Sequence, residues 1–285
     1  MDENVTNCRT VWRIMLLTID AGNTRTKWAV FNELGKISKH DVCLNSEIDS
    51  ADLSPVLLGY KRAVISNVAG EQHAMHLAGK LSPYHLPVHW VKAAPQACHV
   101  INRYTKPETL GSDRWAALIA TWNIKHAPCV VVNAGTAVTI DALNSCEINH
   151  ELHGEFIGGL ILPGLDLMQQ SLGLATAQLP KADAAQVPVA PKLEDIFAKN
   201  TADVIYNGAL HAIVGAIRQM VEALMQHSQQ VPYIIISGGN AQIIKNVLTR
   251  YVTNQTIIVD NLVGQGLHLL ATSISNENTM KSDAQ

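Results

Sequence analysis

The sequence predicts an α/β protein in which one mixed sheet flanked by helices is built twice. Residues 16–31 and 128–143 share a strand–turn–strand design, with Thr18-Ile19-Asp20-Ala21-Gly22-Asn23 lying over Val131-Val132-Asn133-Ala134-Gly135-Thr136. Strand-like and helix-like runs alternate along the chain, as in a layered α/β fold. The chain has 285 residues, room for two cores of one design.

Residues 1–13 are polar and unpatterned, with neither the apolar region nor the cleavage site of a signal peptide, and Met15 stands directly before the first strand, so residues 1–14 are expected to be an extra or disordered leader. Leu16 to Ile19 is an apolar run that ends in the carboxylate of Asp20. Gly22 and Asn23 tolerate the positive φ of a tight turn, and Arg25 to Phe31 resumes the strand pattern. A turn at Leu34-Gly35-Lys36 and a strand over 37–44 complete a three-stranded meander. Residues 47–59 are amphipathic. Arg62 to Val68 reads as a buried strand, 71–80 as a helix and 88–91 as a short strand.

Pro107 and Gly111 mark a loop running into a helix that carries Ala116, Leu118, Ile119 and Trp122, and Ser112 and Asp113 suit its N-cap or first turn. After the second hairpin a turn is expected at Asn144-Ser145-Cys146, with Glu147 to Leu152 as a third strand. Gly158 to Gly164 reads as a mobile or closely packed glycine loop, 165–172 as a helix and 180–192 as an exposed loop. A long helix over 202–226 carries Gly208 and Gly215 on one face, a spacing that allows close helix approach within a subunit or across a dimer interface. Ile234 to Ile236 is a buried strand ending in Ser237-Gly238-Gly239, followed by a helix over 241–251. The expected divisions are an extension at 1–14, a first domain at 15–125, a second at 126–274 and a disordered tail at 275–285.

Composition narrows the function. An apolar fraction of 47% and a net charge of −3 describe a globular chain without the clustered Lys and Arg that nucleic acid requires. The apolar runs are far shorter than the ~20 residues needed to cross a bilayer. Cys8, Cys43, Cys98, Cys129 and Cys146 are scattered and read as reduced thiols. His73 and His76 can share a helix face, but with no third ligand nearby no metal is assigned to them.

In the first hairpin, Asp20, Thr24 and Lys27 are the residue types that hold a divalent cation, a phosphate oxygen and phosphate charge. One such tip is equally a plain hairpin, but two facing each other would surround a polyphosphate with N–H groups and hydroxyls. Neither is a G-x-x-x-x-G-K-[ST] loop. Asp113 and Arg114 at the mouth of a loop with Tyr104 nearby suit a small acidic polar substrate, or simply a helix cap and a surface arginine. The Ser237-Gly238-Gly239 turn can admit a base or ribose.

Six segments then stand in one order: Asp20-Ala21-Gly22-Asn23-Thr24-Arg25-Thr26-Lys27; Tyr104 with Pro107 and Leu110-Gly111-Ser112-Asp113-Arg114; Gly135-Thr136-Ala137-Val138-Thr139; Gly158 to Gly164; Asn200-Thr201 with Gly208; and Ser237-Gly238-Gly239. From residue 15 to about 270 the chain resembles the type III pantothenate kinases of the acetate and sugar kinase/Hsp70/actin superfamily. The resemblance implies duplicated actin-like, ribonuclease H-like domains with an ATP cleft between them. It implies a cytoplasmic homodimer that phosphorylates pantothenate to 4′-phosphopantothenate with ATP and Mg²⁺, the first committed step towards coenzyme A.

By motif, Asp20 to Lys27 would contact the ATP phosphates and Mg²⁺, with Thr136, Gly238 and Gly239 completing the ATP site. Tyr104, Gly111, Ser112, Asp113 and Arg114 would hold pantothenate, and Asp113 would accept the hydroxyl proton. Thr201 would reach pantothenate from the neighbouring subunit. Asn133 stands where the family commonly has an acid that helps hold K⁺ or NH4⁺, and a neutral amide should bind the cation more weakly. The competing readings are another small-molecule kinase of the superfamily and a catalytically silent regulator.

Overall fold

The computed structural model describes residues 16–32, 34–50, 62–175 and 196–282. The expected N-terminal extension, part of the amphipathic segment at 47–59 and the loop at 180–192 lie outside the described residues. Two compact units divide after Trp90.

In the first unit, β1 (Leu16–Ala21), β2 (Arg25–Phe31) and β3 (Ile37–Leu44) form the expected antiparallel meander. β4 (Arg62–Asn67) lies parallel to β1, α1 spans Glu71–Leu81, and β5 (Val88–Trp90) lies parallel to β4. The sheet order is β3-β2-β1-β4-β5. Leu77 and Leu81 of α1 join Leu17, Ile19, Val30, Ala63 and Ile65 in one core. His73, one turn before Leu77, falls on the same buried stripe. β3 is nearly all exposed, and Lys39, His40 and Asp41 keep this edge from pairing with another chain.

The second unit opens with β6 (Gln96–Ala97), β7 (Val100–Asn102) and α2 (Ser112–Lys125). The repeat follows as β8 (Cys129–Ala134), β9 (Ala137–Ile148) and β10 (Glu151–Pro163). Then come α3 (Leu165–Ala175), α4 (Thr201–Ser228), β11 (Tyr233–Ser237), α5 (Ala241–Leu248), β12 (Thr256–Ile258) and α6 (Leu262–Ser282). The sheet order β12-β11-β8-β9-β10-β7-β6 contains the first sheet again: β10-β9-β8-β11-β12 repeats β3-β2-β1-β4-β5, with β7 and β6 added at one edge. The sense of pairing repeats too, because β8 is antiparallel to β9 and parallel to β11, as β1 is to β2 and β4. Asp20 and Asn133 occupy the same place, next to last in β1 and β8.

Three expectations change. β9 does not turn at Asn144-Ser145-Cys146; those residues pair with Glu155, Gly154 and His153 within the ladder, and the chain reverses at Asn149 and His150, whose φ values are 52° and 64°. A two-residue hairpin turn with both residues at positive φ matches the strand twist, and Asn fits it well. Gly158 to Pro163 is strand, not loop, with a bulge that leaves Ile157 unpaired just before Gly158, where φ is 143°. Residues 91–125, expected in the first domain, pack with the second sheet, because β7 pairs with β10 and α2 packs on α6.

α2 is buried on nearly every side, from Trp115 through Trp122. α6 approaches so closely that a Cβ on Gly266 would strike the Ala116 backbone. The backbone of α6 continues past Ile274, where the sequence predicts the tail to begin. Among the described residues, Gly208 and Gly215 meet nothing within 4 Å of a built Cβ, so no described helix of the subunit uses them for close approach.

Candidate functional site

The first hairpin tip is fixed from behind. β1 and β2 place Asp20 opposite Lys27, and β4 places Ser66 beside Asp20. Alternation along the strands sends Ala21 and Thr26 inward and leaves Arg25 and Lys27 exposed, together with the loop residues Asn23 and Thr24. Asp20 is half-buried. Thr26, part of the stretch expected to touch ATP, gives its hydroxyl proton to Asn45 Oδ1 at 2.9 Å, and His73 Nε2 lies 2.8 Å from the same hydroxyl. Since Thr26 has already spent its one proton, Nε2 of His73 must be the donor in that contact. Burial first, then the nearby His76, lowers the His73 pKa, which favours this neutral ring.

Asn45 also donates its amide to the Gly22 carbonyl at 2.7 Å and its backbone N–H to the Thr24 carbonyl at 2.9 Å. Sequence reasoning passed over Asn45, and no local pattern marks it, because its partners are 19 and 23 residues away. Asn45→Ala removes two side-chain hydrogen bonds of about 1 kcal/mol each. The expected outcome is a loss of about 2 kcal/mol of stability; denaturant unfolding of the variant against wild type checks it.

In the second unit the predicted residues gather at the carboxyl ends of β8 and β11, the end of an open α/β sheet where ligands bind. Asn133 pairs with Thr139 across the hairpin and with Ser237 on β11. Gly164 donates to the Thr136 carbonyl at 2.8 Å, and the Asn240 N–H reaches the Ala134 carbonyl at 3.3 Å. Gly238 has φ 102° and packs so tightly on Ala134 that any side chain would collide with that backbone. Asn133 is half-buried, and the buried Thr139 hydroxyl opposite it has no hydrogen-bond partner among the described residues.

On the face of β9 that carries Thr139 stands Asp141, two residues on, and here the helix and the sheet meet. Arg114 reaches Asp141 through Nη2 to Oδ1 at 2.5 Å and Nε to Oδ2 at 3.2 Å, and its Nη1 donates to the Tyr104 hydroxyl at 3.0 Å. The Tyr104 ring lies 5.0 Å from that of Phe156, and the guanidinium sits 5.6 Å from the Phe156 centroid. Gly159 makes room, since a Cβ there would meet Asp141 Oδ1, the Ile140 carbonyl and Arg114 Nη2. Burial alone would lower the Arg114 pKa; the Asp141 carboxylate and the Tyr104 hydroxyl outweigh it and push it up. Burial pushes the Asp141 carboxyl up, and the two N–H groups and charge of Arg114 oppose that push.

Asp141 is a second residue, after Asn45, that sequence reasoning missed. Its signal was present: a lone carboxylate inside Ala-Val-Thr-Ile-Asp-Ala-Leu requires a buried partner.

Gly111 is the N-cap of α2, and Ser112 is buried in its first turn. Asp113, beside Arg114 in that turn, is half-buried and accepts the Arg114 backbone N–H at 2.8 Å. The sequence predicts that the helix dipole keeps Asp113 a weak base. Here burial raises its pKa, outweighing the Arg114 backbone N–H and charge, so its carboxylate is more basic than an ordinary one. Thr201 is exposed at the first position of α4, beyond Asn200, whose side chain caps the helix by accepting the Asp203 N–H at 2.9 Å.

A family model described as type III pantothenate kinase matches residues 16–223. A type III pantothenate kinase of Nitrosospira multiformis is 38% identical over 261 residues, covering 92% of this chain and 92% of its own. One from Nitrosomonas eutropha is 38% identical over 262 residues, covering 90% and 95%. Among solved structures, a putative 2-dehydro-3-deoxygalactonokinase of Sinorhizobium meliloti superposes with a TM-score of 0.54 at 13% identity, over 91% of this chain and 99% of that one. The ethanolamine utilization protein EutJ of Carboxydothermus hydrogenoformans gives 0.53 at 12%, over 90% and 89%. At such identities these two share the fold alone.

Proposed function

The chain belongs to the type III pantothenate kinase family, and from that premise we propose that it transfers the terminal phosphoryl group of ATP to the primary hydroxyl of pantothenate. The observation that carries the reading is the Tyr104–Arg114–Asp141 group beside Asp113, a hydrogen-bonded seat with N–H donors to spare next to a carboxylate more basic than usual. Phosphoryl transfer asks mainly for in-line positioning and charge stabilisation, and these residues supply the acceptor half. Tyr104 and the uncommitted N–H groups of Arg114 orient pantothenate, and Asp113 takes the proton from the attacking hydroxyl.

The donor half is assigned to the hairpin tip of the first unit. Lys27 brings charge to the phosphates and the exposed Thr24 its hydroxyl, while Asn45 and His73 hold the loop. Asp20 is a single half-buried carboxylate, which suits Mg²⁺, an ion that keeps most of its waters and takes one or two protein carboxylates. When bound, Mg²⁺ neutralises charge on the phosphates. In the second unit Thr136, Gly238 and Gly239 are assigned to the nucleotide.

For the monovalent cation, the Asn133 amide and the unpartnered Thr139 hydroxyl offer neutral oxygens, a fit for weak binding of K⁺ or NH4⁺. A homodimer is proposed on the outer face of α4, where Thr201, Val204, Gly208 and Gly215 are all exposed. Among the described residues no helix is long and apolar enough to cross a membrane, and a cytoplasmic location is proposed with the biosynthetic role.

A coupled assay of ADP release with ATP and Mg²⁺ tests the function. Pantothenate-dependent ADP formation is expected, with a modest rise when K⁺ replaces a large organic cation. ADP formation that ignores pantothenate but follows a sugar or another acid would overturn the reading. Indifference to K⁺ would remove the Asn133 cation site.

A further inference from the structure

Away from the groups discussed so far, the second unit brings two histidines and a carboxylate together where its edge hairpin meets β10. Cys98 and His99 form the turn between β6 and β7, both at positive φ (48° and 59°). β7 pairs in parallel with β10 so that Val100 stands against Gly154, and the Gly154 N–H donates to the His99 carbonyl at 2.8 Å. His99 is thereby held beside His153, with ring centroids 5.5 Å apart. Glu151 is two residues before His153 and so on the same face of β10. One ligand atom from each of His99, Glu151 and His153 lies within 4.8 Å of the other two.

We propose that His99, Glu151 and His153 bind a Zn²⁺ ion that pins the β6–β7 hairpin to β10. The orientation of His153 favours this. Its Nδ1 lies 3.0 Å from the Glu151 carbonyl, which can only accept, so Nδ1 carries the proton and Nε2 presents a lone pair. A ligating histidine is typically fixed in this way, with its second nitrogen donating to a carbonyl. The donor set also selects the ion. Two imidazoles and one carboxylate suit Zn²⁺, whereas Mg²⁺ and Ca²⁺ take oxygen ligands.

At bond lengths of about 2.1 Å, ligands on a tetrahedral zinc are about 3.4 Å apart. The cluster therefore closes by up to about 1.4 Å on binding. His99 and Glu151 are exposed and can move, while His153 is buried and stays. Three protein ligands leave a fourth position for water.

The test uses the untagged full-length chain, stripped with chelator and titrated with ZnCl₂ in the absence of nucleotide. One Zn²⁺ per chain is expected, with a raised thermal transition. His99→Ala and Glu151→Gln, both at exposed positions, should each weaken binding at least about tenfold and abolish the thermal shift. Co²⁺ used as a spectroscopic probe should give tetrahedral bands without a thiolate charge-transfer band, which separates this site from the cysteines. Zinc affinity unchanged in both variants, or a thiolate band in the Co²⁺ spectrum, would overturn the assignment.

Discussion

Asp113→Asn should lower kcat by about 10²–10⁴-fold, the range removed with a general base, while KM for pantothenate stays within a few-fold. The amide keeps the shape of the side chain and can still accept the Arg114 backbone N–H, but it cannot take the proton of the substrate hydroxyl. The direction of the Asp113 shift adds a pH signature. Because burial raises its pKa, wild-type kcat/KM should fall on the acid side at a higher pH than an ordinary carboxylate would give.

Stability moves the opposite way. Between the unfolded and the raised folded pKa the native state binds more protons, so the favourable contribution of the neutral form is complete below the unfolded value and is lost as pH rises through the folded one. At neutral pH the carboxylate is therefore a cost to the fold, and Asp113→Asn should unfold at the same temperature as wild type or higher. Near-normal turnover by the folded variant would remove Asp113 from the mechanism.

Arg114→Ala is expected to cost about 3–5 kcal/mol of stability, because it strands the fully buried Asp141 carboxylate without its partner. For a unit of this size the thermal midpoint should drop by about 10 °C. The loss should be partly reversed by adding Asp141→Asn, which removes the stranded charge. Arg114→Lys restores a charge but loses the paired N–H contact and the hydrogen bond to Tyr104, so it should recover less pantothenate affinity than stability. Thermal unfolding of the single and double variants gives the coupling directly. A loss below about 1 kcal/mol in Arg114→Ala would mean that water already reaches Asp141.

The repeat was legible because it is written in local pattern. Thr18 to Asn23 and Val131 to Thr136 carry the same alternation and the same breaker residues, and the structure gives them the same strand order and the same place for Asp20 and Asn133. The turn at Asn144-Ser145-Cys146 was misread for the converse reason. Those residue types favour turns, yet each had a partner waiting on β10, and ladder hydrogen bonds outweighed a weak local preference. The family resemblance places the whole Asp20–Lys27 motif at the ATP phosphates, and within it the pleat turns the Thr26 side chain inward to Asn45 and His73.

What the sequence alone determined is what repeats or lies close along the chain: two sheets of one design, their glycine turns, the helix behind Asp113 and the order of motifs that marks the family. Tertiary structure alone decided which charges meet and which are buried. Arg114 and Asp141 are 27 residues apart, and burial raises the Asp113 pKa against the dipole of its own helix. The reason is the range of the forces. Backbone propensity acts over a few residues, whereas the desolvation and pairing of charge depend on the elements that fold over them.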